Sequence, residues 1–156
     1  MKKLQLFLAV VSLILFMACA AAYKAPETTR QNYSYDISAS SEEIFNAIIT
    51  VISQEGYVVA YSDRGLGIIN TAMKREELTE RDCDCGTTMG IAYIKDKRTV
   101  TDVSLNFTIF DNRFEIRTNI AGEYLPNDPA YGKKFECISL GTIEEDLSRQ
   151  IIARLR

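Results

Sequence analysis

The strongest alternation of apolar and polar positions in this chain runs over Thr99–Phe110. Thr101, Val103, Leu105, Phe107 and Ile109 point one way, and Asp102, Ser104, Asn106 and Thr108 the other. A period of two predicts a strand with one buried face and one wet face. Asp111-Asn112-Arg113 is turn chemistry, after which Phe114, Ile116, Thr118 and Ile120 resume the apolar face against Glu115, Arg117 and Asn119. Helical spacing occurs twice. Ile44, Phe45, Ile48, Val51 and Ile52 share one stripe, with Ser40 and Glu43 placed as a capping box in front and Gly56 as the stop behind. Ile143, Leu147, Ile151 and Leu155 form a second stripe with Ile152 beside them. Thr142 and Glu145 read as its capping box, and Arg149, Arg154 and Arg156 suit its C-terminal dipole.

Shorter strands are expected at residues 32–37, at 57–62 and 66–73 on either side of Asp63-Arg64-Gly65, and at 87–94, where Gly90 marks a bulge. Residues 74–82 (KREELTERD) lack a wide apolar face and read as a loop or a short solvated helix. Residues 122–134, with Pro126, Asn127, Asp128, Pro129 and Gly132, read as a loop. Its tyrosines Tyr124 and Tyr131 are candidate partner contacts, or else caps on the end of the core. The order is strand, helix, five strands, helix. Every apolar stripe is satisfied by an α+β fold in which an antiparallel sheet of about six strands carries two helices packed on one face.

The beginning of the chain has a different character. Lys2 and Lys3 precede an apolar run over residues 4–17, followed by small residues at 18–22. This predicts an export signal over residues 1–18, since a permanent anchor needs about 20 apolar residues. Leu15-Phe16-Met17-Ala18-Cys19 resembles the lipobox of bacterial lipoproteins: Ala18 and Cys19 fit, while Phe16 and Met17 stand where Leu and a small residue are usual. The resemblance implies that Cys19 is acylated and forms the mature N-terminus. Residues 19–31 then become lipidation site and tether, and residues 32–156 a single domain. It also implies, through Ala20 after the cysteine, sorting to an outer membrane. The competing expectation is cleavage at Ala18-Cys19-Ala20 or Ala20-Ala21-Ala22 and a soluble periplasmic or secreted protein.

The element order, the lipobox and the phrase Gly56-Tyr57 followed by Asp63-Arg64-Gly65-Leu66-Gly67-Ile68-Ile69-Asn70-Thr71 together resemble the helix-grip domains of the lipoprotein C subunit of the bacterial outer-membrane barrel-assembly machinery. That resemblance implies a fold and an address; it carries no functional residue.

Charge and chemistry narrow the function classes. Without Lys2 and Lys3, the 18 basic residues become 16 against 21 acidic ones, a net charge of −5, and no basic stripe speaks for nucleic acid. Lys95-Asp96-Lys97-Arg98 reads as a solvated turn. The chain has no histidine, which removes Ser-His-Asp and Cys-His catalysis and histidine metal sites. The paired acids at 42–43, 76–77 and 144–145 read as caps and solvated faces, and Gly65-x-Gly67 opens no helix that could cradle a phosphate. Four cysteines remain: Cys19, Cys83, Cys85 and Cys137. In an exported chain, Cys83 or Cys85 can pair with Cys137, and Cys85 with Cys137 is the expected disulfide, worth about 4 kcal/mol by loop entropy. Cys83 is then a buried or exchangeable thiol; three thiolates with Asp84 could otherwise hold a metal. No catalytic group, cofactor or metal is expected. The leading expectation is a non-catalytic envelope lipoprotein, a binding or scaffolding domain at the periplasmic face of the outer membrane, held there by its lipid and meeting an envelope protein. The alternatives are a periplasmic carrier of a small apolar ligand or lipid, and a thiol redox protein using Cys83 and Cys85.

Overall fold

The computed structural model describes residues 23–156; the export signal, the lipobox and Cys19 lie outside the described residues. In chain order the elements are β1 (Tyr23–Lys24), β2 (Tyr33–Asp36), α1 (Ser41–Gln54), β3 (Val59–Asp63), β4 (Ile68–Thr71), β5 (Lys74–Glu76), β6 (Cys83–Asp84), β7 (Thr87–Thr88), β8 (Ile91–Ala92), β9 (Thr99–Phe110), β10 (Arg113–Tyr124), β11 (Lys133–Ser139) and α2 (Thr142–Arg154). The fold is α+β, with two helices on a large antiparallel sheet.

Strands β9 and β10 form the spine. They pair along their full length, with Ile109 opposite Phe114, Phe107 opposite Ile116, Leu105 opposite Thr118 and Val103 opposite Ile120, so the apolar positions of both share one face. Against β9 lie β4, extended at the edge by β3, and then β5. Against β10 lie β2 and β11, and β6 completes the eight strands on β11. Helix α1 begins as its residues dictate: Ser40 Oγ accepts from the Glu43 backbone N–H while the Glu43 carboxylate accepts from Ser40 N at 2.9 Å. At its other end Gly56 takes a φ of 77°, ending the helix. Its stripe is fully buried, with Ile44, Ile48, Val51 and Ile52 meeting Leu105, Phe107, Phe114, Ile116 and Ile151 in one continuous core. Hydroxyls are buried as well, and they differ in how they are satisfied. Thr71 Oγ1 accepts from Leu105 N at 2.9 Å, whereas Thr118 Oγ1 has no hydrogen-bond partner among the described residues.

Several expectations are corrected. The sheet has eight strands rather than about six, because Lys74–Glu76, Cys83–Asp84 and Lys133–Ser139 join it while residues 87–94 leave it. Lys74–Glu76 pairs with β9 and is fastened by Arg75 to Asp102 at 3.0 Å. Lys133–Ser139 pairs with β10, which itself runs on to Tyr124, so the loop is shorter than 122–134. Residues 87–94 do not join the main sheet: β7 and β8 make a tight hairpin turning at Met89-Gly90, and with β1 a separate three-stranded sheet, so Gly90 is a turn residue and not a bulge. The segment expected as a free tether is docked from Tyr23 onward. Helix α2 is entered through Gly141 with no side-chain cap; the Thr142 hydroxyl donates instead to Arg81 O at 2.6 Å. Glu144 is not solvated: it is 1% exposed and accepts from Ser139 Oγ at 2.7 Å.

Candidate functional site

The residues with any chemistry of their own gather at one end of the spine, where β9 begins and β10 ends. Strand β6 lies on β11 with Cys83 opposite Ser139 and Asp84 opposite Ile138. One residue later Cys85 reaches Cys137 on β11, and their sulfurs are bonded at 2.03 Å. This is the pairing read from the sequence, and Cys83 stays reduced beside it with its Sγ 3.7 Å from that of Cys85. All three cysteines are buried. Burial pushes the Cys83 thiol up to about 12, and the neighbouring carboxylates of Asp82 and Asp84 add to the rise. A thiol so placed is protonated at neutral pH, and only the thiolate attacks or ligates. With two of the three sulfurs joined, the cluster offers one protonated thiol, a poor start for either exchange chemistry or metal binding.

Next to the disulfide the N-terminal segment closes the end of the sheet. The Tyr23 ring lies 6.3 Å from that of Phe135 and 5.9 Å from that of Tyr93. Tyr93 also meets Phe135 at 4.7 Å and Tyr124, edge-on, at 5.5 Å. Cations complete the stack: Lys133 Nζ sits 3.5 Å from the Tyr23 centroid and the Arg98 guanidinium 4.9 Å from that of Tyr124. Gly86 makes room for this arrangement. At φ 75°, a Cβ on it would stand 2.3 Å from the Lys24 carbonyl oxygen. Farther along, Arg30 pairs with Glu136 and holds the same segment to β11.

The two tyrosines expected as partner contacts therefore differ. Tyr124 is spent within the aromatic cluster, while Tyr131, on a 3₁₀ turn over Pro129–Tyr131 capped by Asp128, is 72% exposed and has Leu125 exposed on the same loop. Two clefts of about 470 and 490 Å³ open on this end of the molecule. The first is floored by Cys83 and edged by Ile91, Ile94 and Leu140, with Glu80 and Lys95 paired across it at 2.6 Å. The second lies between Glu76, Leu78, Lys97 and Val100. Neither lies between helices and sheet, where a carrier would hold an apolar ligand. The aromatic cluster was not foreseen in the sequence; the alternation of Phe135, Cys137 and Ser139 was the signal for the strand that builds it.

No protein-family model and no curated protein matches this chain. Among solved structures it is similar to a TBP-like protein from Parabacteroides distasonis ATCC 8503, at 20% identity over 68% of this chain and with a TM-score of 0.44. The match spans 64% of that protein's length. No helix among the described residues is long and apolar enough to cross a membrane.

Proposed function

We propose that this chain is a non-catalytic binding or scaffolding domain of the bacterial cell envelope, exported and anchored through an acylated Cys19 at the periplasmic face of the outer membrane. The observation that carries the reading is the Cys85–Cys137 disulfide buried beside a protonated thiol. A structural disulfide persists in an oxidising compartment, which agrees with an export signal, and a silent thiol agrees with a structural rather than an exchanging cysteine pair. The exposed Tyr131 and Leu125 supply an apolar contact for an envelope protein.

The decisive measurement is the non-reduced intact mass of the full-length protein made in a Gram-negative host, before and after alkylation of the unfolded chain. The expected product begins at Cys19, carries acyl chains and takes up a single alkyl group, at Cys83. An unmodified chain beginning at Ala21 or Tyr23 overturns the anchored reading. For the partner, a photo-crosslinker at Tyr131 should trap an envelope protein in cells, while one at Tyr124 should not.

A further inference from the structure

We propose that the β7–β8 hairpin is a second membrane contact, its tip residues Met89 and Ile91 inserting into the lipid surface to which Cys19 is anchored. This rests on the lipid-anchored reading above and adds to it an orientation of the domain. Tyr23 pairs with Thr88 and Lys24 with Thr87 in antiparallel register. Moving back along β1 from Lys24 to Tyr23 is therefore moving along β7 toward Met89, so the chain enters the domain at the hairpin tip. Cys19 is four residues before Tyr23. Four residues span at most about 14 Å, so an acylated Cys19 cannot hold this end far from the bilayer.

The tip is built unlike a solvated turn. Met89 and Ile91 are 82% and 66% exposed; Met89 is the first residue of the two-residue turn, where tight hairpins ordinarily carry Asn, Asp or Gly, and Ile91 opens β8 directly after that turn. Met89 moreover occupies the left-handed region at φ 53°, a conformation that Asn or Gly adopts at less cost than a long apolar side chain. Leu140, 41% exposed, edges the adjoining cleft together with Ile91. Tyr23, with Lys24 and Lys133 around it, follows directly behind the tip. Aromatic rings and lysines with apolar stems favour the headgroup layer of a bilayer. Exposure alone does not choose this end, because Leu66 and Phe110 are exposed at the other. The position of the anchor chooses it.

The chain contains no tryptophan, so one introduced indole reports a single position. Full-length Ile91→Trp and, as the far-end control, Leu66→Trp are purified from a Gram-negative host. Each is placed in vesicles of phosphatidylethanolamine and phosphatidylglycerol with brominated acyl chains, and its intact mass is recorded. The expected result is an acylated protein in which the indole at position 91 is blue-shifted and loses roughly half its emission to bromine, as for a side chain 5–10 Å into the interface, while that at position 66 emits as in water. Acylated protein whose indole at 91 is as unquenched as that at 66 overturns the hairpin contact and leaves the anchor standing. Protein without acyl chains overturns both.

Discussion

The two ends of the β9–β10 spine are closed by different means. At the Phe110 end the turn is backed by α1: Ser41 Oγ donates to Asp111 O at 2.9 Å, and the Gly67 carbonyl accepts from Ile109 N at 2.7 Å. From there inward, whole helical and strand faces of Ile, Leu, Val and Phe are buried. At the Thr99 end α2 touches only through its first turn, with Thr142 on Arg81 and Glu144 on Ser139, and strands of two residues are held by a disulfide, four aromatic rings and the cations over them. The contrast shows where a small domain needs a covalent staple. Where a periodic apolar face exists, burial at about 25 cal/mol per Å² suffices; where the contacting segments are too short to bury one, a cross-link limits the unfolded chain instead.

Removing the staple tests this most severely. The Cys85→Ala, Cys137→Ala double variant should lose about 4 kcal/mol in urea unfolding, and its β1, β7 and β8 amides should exchange hydrogen well before those of α1. Simultaneous exchange throughout would show one cooperative unit and dissolve the contrast. In the helix-covered half, Ile48→Ala should cost about 3 kcal/mol through the cavity it leaves, with the disulfide still formed by non-reducing mass. A loss near zero would mean that this half is less tightly filled than its burial shows.

A subtler comparison uses pH. The Cys83 thiol is held up to about 12 in the fold and titrates in the ordinary thiol range when unfolded. Its contribution to stability is thus complete below that range and is lost as pH rises toward 12. Unfolding followed from about pH 8 to about pH 11 should show this decline in the parent and a flatter profile in Cys83→Ala; equal slopes would refute the assignment. The smallest effect belongs to the helix-covered half, where the unpartnered hydroxyl of Thr118 is a defect. Thr118→Val should stabilise by about 1 kcal/mol, and a loss of that size would reveal a hydrogen bond for that hydroxyl.

The same division governs what could be read in advance. Helix α1, its Ser40-Glu43 box, the Gly56 stop and the alternation of β9 and β10 are short-range patterns, and the structure keeps each of them. Strand β5 escaped notice because Lys74-Arg75-Glu76 has no apolar face; it is a strand because Asp102 stands opposite Arg75 on a neighbour far along the chain. Thr142 looked like a cap, but the cap position falls on Gly141, so Thr142 is the first helical residue and its hydroxyl donates to the Arg81 carbonyl. Glu144 looked solvated until Ser139 came close enough to share its burial. Of the candidate site, Cys83, Cys85 and Cys137 could be named from the sequence, whereas the parting of Tyr124 from Tyr131 depended on Tyr93 and Phe135 meeting the first and not the second.

By itself, then, the sequence determined the α+β class, the two apolar helices and the paired long strands, because periodicity and capping act between residues within one or two turns or a single hairpin. It also ruled out histidine chemistry by composition alone. Only the tertiary structure decided that Tyr23 docks beside Thr88, that Tyr23, Tyr93, Tyr124 and Phe135 gather at the cysteine end, and that Met89 and Ile91 stand exposed where the chain enters the domain. Those outcomes depend on pairings between segments far apart in the chain, such as Tyr23 with Thr88. No local pattern encodes such pairings, since their energy exists only once the two segments have met.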